Sequence, residues 1–503
     1  MTSLAAIDVG SNAIRMAIGS VDSNNNLLVT EDYREAVRLG EDVFKGGFIS
    51  EEAMRRAEAA FVRFRNIIKT QGVKKVRAVG TSALREARNR DLFLKRILDT
   101  SGIRISIISG EEEARLVYAA VAQKFNFRRK LALLVDIGGG SVEILLVRDG
   151  DIIVSDSVKM GTVRLLNILG ERKRGQKIFY RLIRAYADGL RRQLRKELRH
   201  RKIDLCIGTG GNIEAFGDLR SLLLKKNDRT IVNTRELDEI VSRLESLSYE
   251  ERISKLDLRP DRADVIIPAS IMIQELMNQA DIKELNIPRV GLKDGILLDM
   301  LPDSDRHSPE KHQRQVLAFA RELGRKFSFD EEHGLTVSRF AVALFDQTKE
   351  LHKLPVENRL LLEVAALLHD IGQCININGH HKHSYYLLKA APFVGLNDRE
   401  KGIVAVTARY HRKAPPKMDH AEFASLMPED REIVTKLAAI LRLADALDSE
   451  HASRVSAFRL TRRKAKITFS LRGNGDLLLE RWALASKASL FEETFRCKIS
   501  VAE

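Results

Sequence analysis

Residues 131–147, LALLVDIGGGSVEILLV, give the clearest indication of the fold in this sequence. An apolar run ends at Asp136, a glycine-rich turn follows, and a second apolar run starts at Val142, so the pattern is strand, turn, strand. Glu143 is unusual in such a run, because glutamate is depleted in strands. We expect the turn to bring the carboxylates of Asp136 and Glu143 to one point.

The same pattern occurs a second time, near the start of the chain. Residues 4–12, LAAIDVGSN, are followed by a largely apolar run at 13–18. The acidic residue of this copy, Asp8, precedes Asp136 by 128 positions (136 minus 8). A period of this length is too long for a solenoid repeat and indicates two related domains that face each other.

Strand and helix patterns alternate around both copies. Glu51–Gln71 has apolar residues at three- and four-residue spacing, which predicts an amphipathic helix that Ser50 caps and Gly72 ends. Residues 76–79 and 103–108 have the composition of strands. This alternation predicts layered α/β domains.

Three glycine-rich turns, each after an apolar strand, predict a phosphate site. Backbone N–H groups in a tight turn converge on a phosphate, and glycine permits the close approach and the positive φ that this requires. The sequence contains neither G-x-x-x-x-G-K-[ST] nor G-x-G-x-x-G, so the site is of another type. The candidate phosphate-binding residues are Asp8, Gly10, Ser11, Asn12, Gly138, Gly139, Gly140, Ser141, Gly208, Thr209, Gly210, Gly211 and Asn212.

Acidic side chains beside these turns predict a divalent cation. The hard carboxylate oxygens of Asp136 and Glu143 suit Mg²⁺ that bridges phosphate oxygens, and the alternative is that Asp136 only caps the turn. Glu111 to Glu113 open a predicted helix, where first-turn acids also stabilise the helix dipole. Arg85 is either a phosphate clamp or part of a solvated helix face.

The second half of the chain has a different character. A polar segment bounded by Pro302 and Pro309 predicts a linker, and residues 310–452 show helical periodicity and contain ten of the twelve histidines. Residues 466–471 and 477–481 flank an Asn-Gly pair and predict a hairpin. We therefore expect four domains, at residues 1–126, 127–303, 310–452 (all-α) and 453–503 (small α+β).

The formal charge of +15 favours a polyanionic partner, because 84 basic residues outnumber 69 acidic ones. Arg172–Lys202 alone holds 13 basic and 2 acidic residues, and this run is either a solvated helix face or a track for a long polyanion. The start of the chain lacks a basic signal-peptide region, and the three cysteines are scattered as in a reducing compartment. No apolar run is long enough to span a bilayer, and we expect a cytoplasmic protein.

Seven motifs together resemble one family, the exopolyphosphatases and guanosine pentaphosphate phosphohydrolases (Ppx/GppA). The resemblance implies an α/β fold of two actin-like (ribonuclease-H-like) domains around a cleft, and it also implies a homodimer. The motifs, in order along the chain, are IDVGSN at 7–12, TSALREA at 81–87, ISGEEEARL at 108–116, VDIGGGSVE at 135–143, IGTGGN at 207–212, RADVIIPA at 262–269 and GLKDG at 291–295.

The resemblance also implies roles for individual residues. Glu113 matches the family's catalytic glutamate, which orients or deprotonates the attacking water, and Arg85 matches an arginine near the terminal phosphate. Asp136 and Glu143 match the acids that hold Mg²⁺, and the glycine turns match the phosphate loops. Asn212 departs from the pattern, because many relatives have a small hydroxyl residue there.

The segment 365–372, AALLHDIG, resembles the metal-dependent HD phosphohydrolases. That resemblance implies a second metal site formed by His333, His369, Asp370 and Asp445 in an HD-type all-α domain. The further histidines His380, His383 and His411 are candidates to add ligands or to contact phosphate. We expect His381, His420 and His451 to be ordinary surface residues.

These observations predict an exopolyphosphatase that removes the terminal phosphate of inorganic polyphosphate. The alternative in the same family is a guanosine pentaphosphate (pppGpp) 5'-phosphohydrolase, or an enzyme with both activities, and the expected partners are then guanosine penta- and tetraphosphate. A sugar kinase or chaperone-like ATPase is disfavoured by the context of Glu113 and by the GLKDG segment. A binding protein that senses polyphosphate or an alarmone is the alternative outside enzymes; no nucleic-acid-binding signature is present.

Overall fold

The computed structural model describes residues 2–21, 27–169, 178–187, 201–301 and 309–502. These residues form two compact units, Met1–Ser308 and Pro309–Glu503. The predicted linker falls at this boundary, but its residues 302–308 lie outside the described residues, as does most of the basic run Arg172–Lys202. The finer division into four domains stays a prediction.

The first sheet of the first unit has the strand order β3-β2-β1-β4-β5. The chain makes an antiparallel meander through β1, β2 and β3, and β4 then returns parallel to β1 with β5 parallel beyond it. The predicted strands at 76–79 and 103–108 are confirmed as β4 and β5. The five strands are β1 (Thr2–Val9), β2 (Ile14–Val21), β3 (Leu27–Glu35), β4 (Lys75–Gly80) and β5 (Ile105–Ile107).

The second sheet repeats this order over five strands and adds a sixth, β10, at one edge. Read from its other edge it runs β8-β7-β6-β9-β11-β10, with the meander β6, β7, β8 followed by β9 parallel to β6. The order therefore confirms the duplication that the two sequence copies predict. The strands are β6 (Leu131–Ile137), β7 (Val142–Arg148), β8 (Asp151–Val158), β9 (Leu205–Thr209), β10 (Ile231–Asn233) and β11 (Glu284–Asn286).

The helices of the first unit flank these sheets, and residues 178–187 are also helical. The predicted helix over 51–71 is confirmed, because α2 spans Glu51–Thr70 and the Ser50 side chain accepts a hydrogen bond from the Ala53 amide. The helices are α1 (Leu39–Gly46), α2 (Glu51–Thr70), α3 (Ser82–Glu86), α4 (Arg90–Ser101), α5 (Gly110–Val121), α6 (Thr162–Leu169), α7 (Gly211–Leu224), α8 (Thr234–Ser246), α9 (Tyr249–Leu256), α10 (Pro260–Ala263), α11 (Ile266–Gln279) and α12 (Leu292–Asp299).

Two hydrophobic cores correspond to the two sheets. The core of the first sheet combines strand residues such as Ile7 with the apolar face of α2, where Phe61 and Phe64 are fully buried. The core of the second sheet combines β6 and β7 with the apolar helix α11. Because each strand end is fixed by a packed core, the turns that follow the strands are held in place.

The second unit is mainly helical, as the periodicity predicts, and no helix of the described residues is long and apolar enough to cross a membrane. The long helix α20 contributes a fully buried stretch from Leu437 to Leu441. The helices are α13 (Pro309–Lys326), α14 (Glu331–Gln347), α15 (Lys349–His352), α16 (Glu357–Leu368), a 3₁₀ turn (Ile371–Cys374), α17 (His380–Ala390), α18 (Asp398–Arg409), α19 (Ala421–Ala424), α20 (Pro428–Ala446), α21 (Leu478–Lys487) and α22 (Ser489–Phe495).

The chain ends in a three-stranded sheet, and here the hairpin prediction is wrong. β13 (Lys466–Gly473) pairs antiparallel with the preceding β12 (Val455–Arg463) and parallel with β14 (Lys498–Val501). Residues 478–487 form helix α21 instead of a strand, since Ala483 and Leu484 bury one helical face. The Asn-Gly pair leads from β13 toward this helix, with Gly475 at φ +77°.

Candidate active site

A polar cavity in the first unit lies where the glycine turns of both sheets meet. Most of the residues predicted to bind phosphate line it, together with the predicted catalytic Glu113. The predicted residues in its wall are Asp8, Gly10, Ser11, Asn12, Glu113, Asp136, Gly138, Gly139, Gly140, Ser141, Gly210, Gly211 and Asn212.

The first two turns have the same backbone hydrogen bond. The amide of Gly10 donates to the Ala13 carbonyl at 3.1 Å, and the amide of Gly138 donates to the Ser141 carbonyl at 3.1 Å. The turns also approach each other closely, because a Cβ atom on Gly139 would lie 3.2 Å from the Cβ of Ser11. Two phosphate-type turns therefore face one space from opposite sheets.

The third turn leads from β9 into the N-terminus of α7. Gly210 has a φ of +93°, and a Cβ atom there would lie 2.9 Å from an Asp136 carboxylate oxygen. The first turn of α7 lines the cavity, and helix N-termini favour anions because their amides are unpaired and their dipole end is positive. Gly208 and Thr209 stand outside the cavity wall: they lie within β9, where Gly208 packs against Ile213 and Leu285.

Asn12 makes a contact that the sequence does not predict. Its side-chain amide donates to the backbone carbonyl and to the carboxylate of Asp261, at 3.1 and 3.2 Å. Arg34 also pairs with Asp261, and Arg38 pairs with Asp264 at 2.7 Å. The side chain of Asn12 thus joins the first sheet to α10, and because its Nδ2 donates to Asp261, only its backbone amide is left to donate to the predicted phosphate.

Three buried carboxyl groups lie close together here: Asp8 and Asp136 line the cavity, and Glu143, opposite Asp136 on the next strand, lies outside its wall. Burial raises the pKa of Asp8 to about 6 against the opposing effect of Arg15, and burial raises the pKa of Asp136. Burial together with the neighbouring Asp136 raises the pKa of Glu143 to about 7. In all three the first cause of the rise is burial, which removes water from the charged form, and the nearby Arg15 and Arg85 offset only part of it.

The donor set fits a divalent cation. Glu143 is directly opposite Asp136 across β6 and β7. One carboxylate oxygen of Glu143 accepts hydrogen bonds from Ser141 at 2.6 Å and Ser157 at 2.9 Å, whereas its other oxygen is buried and accepts none. Asp8 also has a buried oxygen without a hydrogen-bond donor. Hard oxygen ligands with unsatisfied lone pairs are what Mg²⁺ requires.

Glu113 and Arg85 form a pair beside these acids. Glu113 lies in the first turn of α5, which Ser109 caps, and its side chain is buried. Burial and the negative charge of Glu143 raise its pKa well above the ordinary glutamate value, against the lowering effect of Arg85. Nη1 of Arg85 donates to Glu113 at 2.9 Å and to the Ile108 carbonyl at 2.9 Å, so the carboxylate is held in one orientation.

Sequence reasoning missed three arginines in the cavity wall, Arg15, Arg34 and Arg262, of which Arg34 pairs with Asp261. Arg15 and Arg262 converge on Gly211, where a Cβ atom would lie 2.3 Å from Nη2 of Arg15 and 2.8 Å from Nη2 of Arg262. Burial, together with Arg259 and Arg15, lowers the pKa of Arg262 to about 10. A signal was present, since Arg15 interrupts an apolar strand as Glu143 does. The other unpredicted lining residues are Ala13, Thr81, Ser82, Ile137, Thr162, Glu214, Gly291 and Leu292.

A separate cluster of histidines and aspartates occupies the second unit. The four predicted metal ligands His333, His369, Asp370 and Asp445 are brought together, with His369 Nε2 3.7 Å from an oxygen of each aspartate. The groups His333–His369–Asp445 and His369–Asp370–His411 each have the proximity that a metal ion needs.

The remaining histidines divide differently from the prediction. His381 is buried, with 3% of its surface exposed, so its assignment to the surface is wrong. His451 is exposed, but it stacks on the His333 ring at 3.5 Å between centroids and forms a third group of metal-binding proximity with His333 and Asp370, so it is not an ordinary surface residue. His420 is half-buried and bonded to the Tyr410 hydroxyl, and His383 forms no part of the metal-competent groups among the described residues.

Two sheets that share a five-strand order, and whose glycine turns meet at one polar cavity, define the actin-like class of α/β proteins. Within that class the chain belongs to the Ppx/GppA phosphatase family. The family model for the phosphatase region matches residues 20–304, and the model for domain III of the same family matches residues 317–491.

Individual relatives agree with this assignment. A guanosine-5'-triphosphate,3'-diphosphate pyrophosphatase of Photobacterium profundum is 27% identical over 449 residues, which cover 87% of this chain and 84% of the relative. A protein of the same name from Vibrio vulnificus is 27% identical over 81% of this chain and 80% of its own length. The crystal structure of an exopolyphosphatase from Cytophaga hutchinsonii covers 60% of this chain and 99% of its own, at 24% identity and a TM-score of 0.57, and thus shares the fold.

Proposed function

We propose that the chain hydrolyses the terminal phosphoanhydride bond of a linear polyphosphate group. One observation carries this proposal: the buried Glu113, held by Arg85, lies in the wall of a cavity formed by glycine turns and the N-terminus of α7. The turns and the helix supply phosphate-binding amides, and the carboxylate supplies a base. The family, which is named for phosphatases, supports the same reaction class.

In the proposed reaction a water molecule attacks the terminal phosphorus in line with the bond to the bridging oxygen. Glu113 orients this water and accepts its proton, while the bridging oxygen leaves with the rest of the chain. Amides of the turns at 10–12 and 138–141 and the N-terminus of α7 stabilise the charge on the phosphoryl oxygens. Arg85 fixes Glu113 and contributes positive charge beside it.

Asp136 and Glu143, with Asp8 beside them, would hold the Mg²⁺ that the sequence predicts. That ion, when bound, supplies charge neutralisation for the phosphate oxygens. The chain's own residues set its place, because Ser141 and Ser157 orient one oxygen of Glu143 and leave the other free. Homodimerisation stays a prediction from the resemblance.

Inorganic polyphosphate is the first substrate that we propose. Arg15 and Arg262 form no ion pair within the described part of the chain, although both line the cavity. Two guanidinium groups beside the terminal-phosphate turns suit the next phosphates of an extended polyanion. The formal charge of +15 also favours a polymeric anion.

Guanosine pentaphosphate is the second candidate, and a separate observation favours it. The pyrophosphatases of Photobacterium profundum and Vibrio vulnificus, named for guanosine-5'-triphosphate,3'-diphosphate, align with this chain over 84% and 80% of their lengths. The same two arginines could receive a 3'-diphosphate as readily as a polymer, because they recognise phosphate charge and geometry rather than a base.

Phosphate release from long-chain polyphosphate and from guanosine pentaphosphate, at equal concentrations of terminal phosphate and saturating Mg²⁺, tests the proposal. Faster release from the polymer supports exopolyphosphatase activity, and preference for the nucleotide transfers the function to alarmone hydrolysis. Glu113→Gln should lower either rate roughly 10²–10⁴-fold. Glu111→Gln, in the same helical turn, should leave it unchanged. No release from either substrate by the Mg²⁺-loaded wild type would overturn the enzyme proposal.

A further inference from the structure

We propose that Arg252, a buried residue of α9, positions Arg262 to bind the substrate phosphates that adjoin the scissile bond. Arg252 lies outside the cavity wall, whereas Arg262 is part of it, so Arg252 is a positioning residue and not a catalytic one. The inference rests on the proposed function, because it concerns the affinity of the same site for its phosphate substrate.

Arg252 is fully buried and binds three other helices at once. Its Nε donates to the Leu244 carbonyl at 3.1 Å, its Nη1 to the Ala263 carbonyl at 3.2 Å and its Nη2 to the Tyr180 hydroxyl at 2.8 Å. These acceptors belong to α8, to α10 and to the helix at 178–187. Because the donors of a guanidinium form a planar, rigid fork, one side chain fixes the positions of all three acceptors relative to one another.

Two of the acceptors lie at the C-terminal ends of helices. Leu244 is in the last turn of α8, and Ala263 is the last residue of α10. The final carbonyls of a helix lack the amide partners of its interior, and the negative end of the helix dipole favours a cation. Arg252 supplies both donors and positive charge to these two ends, which explains how a charged side chain is accommodated in this interior.

The helix α10 depends on contacts of this kind, because it has only four residues. A single helical turn is not stable by itself. Side chains of α9 hold both of its ends: the Tyr249 hydroxyl donates to the Pro260 carbonyl at 3.3 Å, and Arg252 donates to Ala263. The first glycine turn binds Asp261 in the middle of the same helix. The position of α10 is therefore set by its neighbours.

Arg262 is the residue that α10 delivers to the cavity. Its Nη2 and the Nη2 of Arg15 both approach Gly211 at the start of α7. Burial, together with the like charges of Arg259 and Arg15, lowers the pKa of Arg262 to about 10. Like charges move apart unless the backbone that carries them is fixed. The bond from Arg252, which ends on the carbonyl of the next residue, provides that restraint.

This restraint has a specific kinetic consequence. Two guanidinium groups that are already side by side bind phosphate without a further cost of ordering them. Phosphates that are not transferred are bound equally in the ground state and in the transition state. Loss of the restraint should therefore raise KM and leave kcat nearly unchanged. A disturbance of Glu113 or Arg85 would instead lower kcat.

Arg252→Met tests the proposal in assays of phosphate release from polyphosphate, because it keeps the apolar stem and removes the three donors. We expect KM to rise roughly tenfold, since hydrogen bonds from a charged donor are lost. We expect kcat to stay within about threefold of the wild-type value. Arg252→Lys, which keeps a charged donor, should recover part of the KM. Lys255→Met is the matched control: it removes an exposed cation of the same helix, paired with Glu251, and should change neither constant.

A double-mutant cycle with Arg262→Ala distinguishes positioning from a general structural effect. If Arg252 acts through Arg262, Arg252→Met should have no further effect on KM in the Arg262→Ala variant. Calorimetric binding of tripolyphosphate to Glu113→Gln, with and without the same two substitutions, should give the same pattern in the absence of turnover.

The outcomes separate this inference from the proposed function. An equal loss of affinity from Arg252→Met with and without Arg262, or unchanged affinity in a folded Arg252→Met, would overturn the inference and leave the proposed function intact. Absence of phosphate release by the wild type would overturn the proposed function, and the calorimetric cycle would still decide the role of Arg252. If circular dichroism shows that Arg252→Met does not fold, Arg252→Lys takes its place in the cycle, and its loss of affinity should vanish in Arg262→Ala.

Discussion

Glu143 lies directly opposite Asp136 across the antiparallel strands β6 and β7. In the first copy of the repeat the same relationship joins Asp8 to Arg15 across β1 and β2. The duplicated hairpin therefore carries a pair of opposite charge on one side of the cavity and a pair of like charge on the other. The repulsion within the like-charged pair favours the second sheet as the place of the proposed Mg²⁺, with the buried, unpartnered Oδ1 of Asp8 beside it.

The first prediction concerns the pH dependence of phosphate release. Burial and Glu143 raise the pKa of Glu113, and only the ionised carboxylate can accept a proton, so kcat/KM should fall as the pH drops through that raised pKa. Mg²⁺ beside Glu143 cancels part of the repulsion, so the acid limb should move to lower pH as Mg²⁺ increases. Profiles at limiting and saturating Mg²⁺ measure this shift.

The residual activity of Glu113→Gln should lack this acid limb, which provides the control. An acid limb that stays at the same pH across the Mg²⁺ range would show that Glu143 and the ion do not act on the titrating group.

The second prediction concerns Gly161, which precedes α6. A Cβ atom there would lie 2.3 Å from backbone atoms of Gly139 and Gly140, and this backbone belongs to the second glycine turn. Gly161→Ala should therefore destabilise the first unit by about 1–3 kcal/mol and displace the turn. Urea unfolding and the KM for polyphosphate are the measurements.

Gly46→Ala is the matched control for this experiment. Gly46 ends α1, and a Cβ atom there has no neighbour within 4 Å, so the substitution should leave stability and KM unchanged. Equal effects of the two substitutions would contradict the steric argument.

The sequence predicts the parts of the site whose signal is local. Asp136 and Glu143 are recognisable because acidic residues are rare in apolar strands. β6 and β7 place the two residues opposite each other. The glycine turns are recognisable because each one directly follows an apolar strand, and two of them have the same backbone hydrogen bond. Local composition therefore suffices for the duplicated fold and for most of the cavity floor.

Contacts between distant segments could not be predicted from the sequence in the same way. Arg262 reaches the cavity only because α10 packs against the first sheet through Asn12 and Arg34. The Asn474-Gly475 pair led to the wrong prediction of a hairpin, because a turn signal does not fix the structure of the residues that follow it. Residues Leu478–Lys487 form a helix that buries one face.

The third prediction concerns Arg164, a buried residue of α6. Its Nε donates to the Gly140 carbonyl at 2.8 Å, its Nη2 binds Glu86 at 2.9 Å, and its guanidinium lies 3.9 Å from the centroid of the Phe44 ring. It thereby ties the second glycine turn to α3, the helix that carries Arg85. Arg164→Ala should lower stability by about 2–3 kcal/mol, because Glu86 and the carbonyl lose a charged donor.

Arg164→Lys provides the comparison, since it keeps the charge but cannot reach Glu86 and Gly140 with a planar fork. We expect kcat to fall in both variants, with partial recovery in the lysine variant. An unchanged kcat in Arg164→Ala would show that this contact does not position Arg85.

The fourth prediction concerns acid stability and Asp299, the last residue of α12. It pairs with Arg115 of α5 at 2.9 Å and with Arg77 of β4. Burial raises the pKa of Asp299, but the two arginines lower it by more, so its pKa lies below the ordinary value of 3.8. A lowered pKa means that the pair stabilises the fold above about pH 4 and that this stability disappears as the pH falls through the folded pKa. Asp299→Asn should therefore cost about 2 kcal/mol at pH 7 and little near pH 2 in urea unfolding. The matched control is Asp281→Asn, which removes a fully exposed acid paired with Lys283 and should produce no measurable change. A pH-independent cost in Asp299→Asn would show that shape, not charge, holds α12 in place.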